Sequence, residues 1–184
     1  MTTNANPPRP LTDELVLPFD ATRDHWRGGD GVVILEYGDY ECPYSRRAFR
    51  AIEQLQAHDP SLRFAFRHFP LTEIHPHALA AAGFAEAAAA QGRFWAMHEL
   101  LFHRQKALGD NDLFAYARQV ALDEARLRDD LARDELWQRV RDDATSALAA
   151  GARGTPTLFL NGRLHRGGYD EGTLRATLDS LEAT

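Results

Sequence analysis

The amino-acid sequence predicts a single domain with an α/β fold. Three observations lead to this prediction: an apolar run without alternation near residue 35, a long central segment of helical periodicity, and a hairpin signal near the carboxyl end. The length of 184 residues suits one domain with a sizeable core, and the hydrophobic share of 44% argues against disorder. The predicted element order is β-α-β, a helical block, and then β-β-α.

The first β-α-β unit is predicted from two apolar runs on either side of a helical pattern. Val32 to Tyr37 lacks alternation, which is typical of a central strand covered on both faces. From Tyr44 onward, apolar residues recur at three- and four-residue spacing until Asp59-Pro60 ends the predicted helix. Leu62 to Phe69 then alternates at period two, which predicts a second strand closed by Pro70.

The segment from about residue 73 to residue 152 is predicted to be a helical insertion. Acidic residues stand at several of its helix starts, where they favour the helix dipole. The predicted helices cover Ala78 to Ala90, Phe94 to Phe102, Asp112 to Leu122, Asp123 to Ala132 and Glu135 to Ala150. No internal repeat or second hydrophobic centre accompanies them, so we expect them to belong to the same domain.

The carboxyl-terminal part predicts a hairpin and a closing helix. Thr157 to Leu160 is the expected third strand, Asn161-Gly162 a tight turn, and Arg163 to Arg166 the partner strand. Asp170 to Leu181 has the pattern of an amphipathic helix. The domain is therefore expected to cover residues 14–184, after a flexible, polar and proline-rich tail over residues 1–13.

Composition narrows the expected partners and the expected compartment. The net charge of -6, with arginines and acidic residues interspersed, argues against nucleic acid as a partner. No stretch approaches the roughly 20 apolar residues that span a membrane, and the first ten residues lack the features of a secretory signal. A single cysteine permits no internal disulfide, so we expect a cytoplasmic, reducing compartment.

Cys42 is the only cysteine, and it stands in the motif Cys42-Pro43-Tyr44-Ser45 directly after the first predicted strand. Pro43 suits the first position of a helix, which would place Cys42 at the helix N-terminus, where backbone N–H groups and the dipole stabilise a thiolate. The alternative is that Cys42 is a small buried hydrophobe, as most free cysteines are. The strand–loop–helix context favours the reactive interpretation, with Cys42 as the nucleophile.

Charged residues flank this motif on both sides. Asp39 and Glu41 oppose ionisation of the thiol, whereas Arg46 and Arg47 favour it and offer partners for the carboxylates of glutathione. The sequence does not decide which pair has the larger effect.

Three segments together resemble the thioredoxin-like proteins, and within them the DsbA family. They are Glu36 to Tyr44, Phe66 to Leu71, and Gly154 to Thr157 with Asn161-Gly162. The resemblance covers about residues 22–182 and implies a thioredoxin-like fold with a DsbA-type helical insertion. It also implies thiol–disulfide exchange as the activity, with protein or peptide disulfides as the substrates.

In this resemblance Ser45 stands where the second cysteine of a Cys-x-x-Cys motif would be. A serine can donate a hydrogen bond to the sulfur but cannot attack a disulfide, so release of a mixed disulfide needs glutathione, a substrate thiol or another protein. Three monothiol activities remain open: glutathione-dependent reduction, isomerisation, and one-cysteine peroxide reduction through a sulfenic acid. Glutathione is therefore a candidate co-substrate, and no bound cofactor is expected.

The resemblance also implies a proton shuttle. Glu36 stands six residues before Cys42, where thioredoxin-like proteins keep a buried acid beneath the sulfur. A carboxylate in a strand covered on both faces is unfavourable unless it has a partner or takes up a proton. The alternative is a glutamate that reaches solvent or pairs with an arginine.

Thr155-Pro156 is expected to be the cis-proline loop that faces the thiol in this fold. The backbone of Thr155 would then pair with an extended substrate, as in strand addition. Pro43 and Tyr44 complete the expected substrate-binding set, beside Thr155 and Pro156.

The histidines of His75-Pro76-His77, with His68 nearby in sequence, raise the question of a metal site. Pro76 is expected to begin a helix, and residues two apart on a helix point in different directions. No cysteine lies near enough to complete a known ligand spacing. We therefore expect no metal.

A non-enzymatic function remains as the alternative. In that interpretation the protein is a redox-sensing or partner-binding module, and Cys42 forms a mixed disulfide or a disulfide-linked dimer. Turnover would favour the enzyme, whereas a stable covalent dimer without turnover would favour the module.

Overall fold

The structure is a computed structural model that describes residues 14–15 and 17–182. The predicted tail over residues 1–13 lies outside the described residues. The strands are β1 (His25–Gly28), β2 (Val33–Gly38), β3 (Arg63–His68), β4 (Thr157–Leu160) and β5 (Arg163–Leu164). The helices are α1 (Pro43–His58), α2 (Ala78–Ala89), α3 (Phe94–His103), α4 (Asp110–Gln119), α5 (Glu124–Leu131), α6 (Asp134–Ala149) and α7 (Glu171–Glu182).

The strands form one sheet in the order β1-β3-β2-β4-β5. β2 lies at its centre, parallel to β3 and antiparallel to β4, and β1 and β5 pair antiparallel at the two edges. The α/β class and the thioredoxin-like order of elements, with helices α2 to α6 inserted between β3 and β4, are thereby confirmed.

Both faces of the sheet are covered. Ile34 and Phe66 pack into the larger core with α1, the helical insertion and α7. Leu35 and Tyr37 point to the other face and pack with the end of α6. Since successive side chains of a strand alternate between faces, Glu36 shares the face of Ile34, beneath α1. This explains why β2 is apolar without alternation.

β1 is the described strand that the sequence analysis missed, so the predicted order lacks one element at its start. It comprises only His25, Trp26, Arg27 and Gly28, which are at most half-buried at the edge of the sheet. A short edge strand with two basic side chains has neither the apolar run nor the alternation that indicates a strand. Pairing with β3 supplies the order that the local sequence does not.

The alternation of β3 does not produce a solvent-facing side. Arg67 is fully buried and forms a two-bond ion pair with Asp24, Nε to Oδ1 at 2.9 Å and Nη2 to Oδ2 at 2.8 Å. Burial alone would raise the pKa of Asp24, but the hydrogen bonds from Arg67 hold it below its usual value. The ion pair thus joins the segment before β1 to the centre of the sheet.

The helical insertion has the predicted number and order of helices, with ends displaced by at most two residues except at the end of α4, which lies three residues before the predicted Leu122. One expectation was wrong: Pro76 does not begin a helix. His75, Pro76 and His77 form a turn, and α2 begins at Ala78 with His77 at its N-cap. Two acidic side chains bind this turn: Asp39 contacts the His75 ring at 2.8 Å, and Glu41 accepts the backbone N–H of His77 at 2.7 Å.

Candidate active site around Cys42

Cys42 lies at the N-cap of α1, and Pro43 follows as the first helical residue. The first turn of α1 contains no acidic side chain, so the positive end of the helix dipole is not offset there. The Cys42 side chain is 4% exposed, and its Sγ donates a hydrogen bond of 3.1 Å to the carbonyl oxygen of Thr155. The thiol is therefore held between a helix N-terminus and the loop before β4.

The loop before β4 has the geometry expected for the site. The Thr155-Pro156 peptide bond is cis, and Pro156 is buried while Thr155 is half-buried. The Oγ1 atom of Thr155 has no hydrogen-bond partner among the described residues. Thr157, the first residue of β4, donates its hydroxyl to Gly154 O at 2.8 Å, which fixes the other side of the loop.

Glu36 is fully buried in β2, and neither carboxyl oxygen accepts a hydrogen bond of regular geometry from the described residues. Burial raises the pKa of Glu36 to about 8, although the neighbouring Ser45 hydroxyl partly opposes the shift. The carboxyl group is consequently protonated at neutral pH. Neither solvent nor an arginine contacts it among the described residues, unlike in the alternative considered from the sequence.

Ser45 lies one turn into α1 and is fully buried. Its hydroxyl accepts a hydrogen bond of 3.3 Å from the backbone N–H of Asp39. Within the described part of the chain, the thiol donates to Thr155 and forms no hydrogen bond with Ser45. The Ser45 side chain therefore lies next to the buried carboxyl group of Glu36. The expected hydrogen bond from Ser45 to the Cys42 sulfur is not found between these two described residues.

The two tyrosines of the motif region have opposite environments. Tyr44 is 61% exposed on the first turn of α1, beside the exposed Pro43. Tyr40 is buried against Phe66 and Phe102, and its hydroxyl bonds to Nδ1 of His98 at 2.9 Å. Of the two, only Tyr44 is available to a substrate.

Two polar side chains position the Cys42 loop, and the sequence analysis did not assign that task to either. Gln105, in the turn after α3, donates from Nε2 to the carbonyl oxygens of Tyr40 and Cys42, both at 2.8 Å. Asp39 is buried and accepts hydrogen bonds of 2.8 Å from the N–H groups of Glu41 and Leu71, as well as binding His75. No motif marks Gln105, since its partners are more than 60 residues away.

Tyr169 is a further side chain at the site that the sequence analysis missed. It precedes α7 and is half-buried. Burial raises the pKa of its hydroxyl, and the charges of Cys42 and Glu36 add to the shift. The loop before α7 thus contributes to the surroundings of the thiol.

Two relatives with similar sequences are longer than this chain and match it over one part of their length. The chain is 43% identical over 172 residues to the Na(+)/H(+) antiporter NhaA 1 of Salinispora arenicola, covering 92% of this chain and 26% of that protein. It is 41% identical over 180 residues to the Na(+)/H(+) antiporter NhaA 1 of Mycolicibacterium gilvum, covering 95% of this chain and 29% of that protein. The chain therefore spans less than a third of these relatives. Across residues 14–15 and 17–182, no helix has the length and apolar character needed to cross a membrane.

Solved structures with the same architecture are thioredoxin-like. A thioredoxin-like oxidoreductase from Silicibacter pomeroyi superposes with a TM-score of 0.79 at 27% identity, covering 88% of this chain and 94% of that one. BdbD from Bacillus subtilis gives a TM-score of 0.79 at 19% identity, covering 94% of this chain and 100% of that one, and shows the fold. The family model of the DSBA-like thioredoxin domain matches residues 33–179, from β2 into α7. Because this model matches most of the chain, the chain belongs to the DSBA-like thioredoxin domain family.

Proposed function

We propose that the protein is a monothiol thiol–disulfide exchange enzyme with Cys42 as its nucleophile and glutathione as its co-substrate. The observation that carries the proposal is the position of Cys42 Sγ at the N-terminus of α1, 3.1 Å from Thr155 O, with a serine one turn further along. A reducing compartment such as the cytoplasm fits this chemistry, because glutathione is available there as the reductant.

The proposed reaction has two exchange steps. The Cys42 thiolate attacks the glutathionyl sulfur of a mixed disulfide, forming a new S–S bond as the old one breaks, and the released substrate thiolate takes up a proton. A second glutathione thiolate then attacks the adduct on Cys42, releasing oxidised glutathione and restoring the Cys42 thiolate. In the net reaction one glutathione thiol replaces the substrate thiol in the disulfide, giving oxidised glutathione and the free substrate thiol, so Ser45 needs no redox role.

Glu36 is the proposed proton store beneath the site. At neutral pH its carboxyl group carries a proton because burial opposes ionisation. A pKa of about 8 lies close to the pH at which thiols titrate, so the group is suited to exchange a proton with the thiol or the leaving thiolate.

The substrate would bind across the first turn of α1 and the loop before β4. Tyr44 and Pro43 present an exposed surface there, and the half-buried Thr155 lies beside the sulfur. We propose that the Thr155 backbone pairs with an extended peptide, with Pro156 closing the loop beneath it.

Turnover of a glutathionylated peptide, coupled to glutathione and glutathione reductase, tests this function. We expect steady turnover by the parent protein and none by Cys42→Ser. Glu36→Gln should retain turnover but change its pH profile, because the proton store is removed. No turnover by the parent protein, at any pH between 6 and 9, would refute the enzymatic proposal.

The redox-sensing module is the second candidate, and the antiporter relatives favour it. A domain that forms about a quarter of a Na(+)/H(+) antiporter is suited to report redox state to a membrane partner. In this function Cys42 forms a mixed disulfide that persists in the presence of glutathione. A persistent adduct without turnover in the assay above would support the module over the enzyme.

A further inference from the structure

Away from Cys42, two histidines and a glutamate converge where β1, β3 and α2 meet. The Nε2 atoms of His25 and His68 each lie 2.7 Å from the same atom, Oε1 of Glu86. All three potential ligand atoms lie within 4.8 Å of one another. The sequence analysis considered His68 together with His75 and His77, but the His75 ring binds Asp39 instead.

The two imidazole rings are held in place by aromatic neighbours. His25 stacks on Phe94 with ring centroids 3.7 Å apart and an interplanar angle of 16°. His68 is fixed edge-on against Phe66 at 5.4 Å, and its backbone N–H donates to Asp143 at 3.0 Å. Both Nε2 atoms face Oε1 of Glu86.

The cluster offers a mixed set of ligand atoms. It combines two imidazole nitrogens with one oxygen of a carboxylate whose side chain is only 10% exposed. This set suits a borderline divalent ion.

Solvent reaches the cluster from one side. His68 is almost fully buried, whereas the side chain of His25 is 18% exposed and lines an open cavity of about 360 Å³ with Gly92 and Trp95. A second open cavity, of about 330 Å³, is lined by Glu86. Open cavities therefore adjoin the cluster at His25 and at Glu86.

We propose that His25, His68 and Glu86 form a zinc site whose fourth ligand is water. Tetrahedral Zn²⁺ holds imidazole nitrogens at about 2.0–2.1 Å, which separates neighbouring ligand atoms by roughly 3.3 Å. From its 2.7 Å contacts the carboxylate would withdraw by about half an ångström, and each imidazole would bind the ion through Nε2 while its ring proton lies on Nδ1. The ion would join the edge strand, the strand beside β2 and the helical insertion.

The same distances also describe a cluster held together by hydrogen bonds alone. Zinc titration of the full chain distinguishes a zinc site from such a cluster. The titration uses a chromophoric chelator as competitor and a Cys42→Ser background, so that the thiol cannot bind zinc. His25→Gln and Glu86→Gln remove one ligand each. His58→Gln is the matched control, because His58 is exposed at the end of α1.

We expect one zinc equivalent in the parent and in His58→Gln, with affinity at least about 10–100-fold weaker in the two ligand variants. Zinc should raise the melting temperature of the parent and the control, and not of a ligand variant. Cobalt should give the absorption bands of a tetrahedral ion in the parent only. Circular dichroism without zinc checks that each variant is folded. No saturable binding, or equal affinity in folded His25→Gln and His58→Gln, would overturn the proposal.

Discussion

At the residue scale, burial gives Glu36 a protonation state that most glutamates do not have. The sequence already indicated this, because an acidic residue inside an apolar run must find a partner or a proton. The described structure supplies no hydrogen bond of regular geometry to either oxygen, and burial raises the pKa to about 8. The same property that suits the group to proton exchange also reduces the stability of the fold.

The Glu36→Gln variant should be more stable than the parent at alkaline pH. The unfolded chain releases this proton near pH 4.5 but the folded protein only near pH 8, so the stability of the parent falls as pH rises between these values. The uncharged amide removes this loss, and we expect a gain of at least about 2 kcal/mol at pH 8.5, with little gain at pH 4.5. Urea unfolding at both pH values measures the difference. Glu73→Gln, at an exposed turn, is the control; a gain that does not grow with pH would contradict the burial of an ionisable group.

At the element scale, two sets of side-chain hydrogen bonds connect segments that lie far apart in the sequence. Gln105 joins the turn after α3 to the Cys42 loop, and Asp24 joins the segment before β1 to Arg67 of β3. Local periodicity of apolar residues was sufficient to predict the helices and the central strands. These links depend on long-range contacts that no local pattern marks, and for the same reason β1 was missed.

Gln105→Ala should loosen the loop that presents the thiol. The change removes the Gln105 donor from two carbonyl oxygens, of which that of Cys42 keeps the N–H of Arg46 and that of Tyr40 loses its side-chain partner. We expect a loss of about 1–3 kcal/mol in unfolding free energy. We also expect faster alkylation of Cys42 in the folded protein, because a looser loop exposes the recessed thiol more often. Gln119→Ala, at the exposed end of α4, is the control. Unchanged alkylation in a destabilised Gln105→Ala protein would limit Gln105 to a structural role.

Asp24→Asn should uncouple β1 and the preceding segment from the sheet. The variant leaves the buried Arg67 guanidinium without its counter-charge, which typically costs about 3–5 kcal/mol of stability. Asp134→Asn breaks an exposed ion pair with Arg141 and should cost less than about 1 kcal/mol. Thermal unfolding compares the two variants, and hydrogen exchange shows whether β1 opens first. Equal losses in both variants would mean that the buried pair contributes no more than a surface pair.

At the scale of the whole molecule, the motifs near Cys42 were sufficient to predict the fold and the position of the thiol. Cys42, Pro43 and the cis Thr155-Pro156 bond lie together as the resemblance implies. The cluster of His25, His68 and Glu86 could not be predicted, because its members belong to three elements whose approach is set by tertiary packing. A function is therefore predicted best from sequence when the reactive residues lie within one motif.

The recessed position of Cys42 also affects which product the protein forms on oxidation, a glutathione adduct or a disulfide-linked dimer. A disulfide between two copies would need their Cα atoms within about 7 Å, whereas each Cys42 residue is only 4% exposed, between α1 and the loop before β4. A flexible tripeptide can enter this space more easily than a second folded domain. We therefore expect a glutathione adduct on Cys42, and little covalent dimer, when the protein is oxidised with diamide in the presence of glutathione. Intact-mass measurement and non-reducing electrophoresis distinguish the products, with Cys42→Ser giving neither. A dominant dimer band would instead favour the sensor, and would require the loop at Thr155 to open far enough to expose the sulfur.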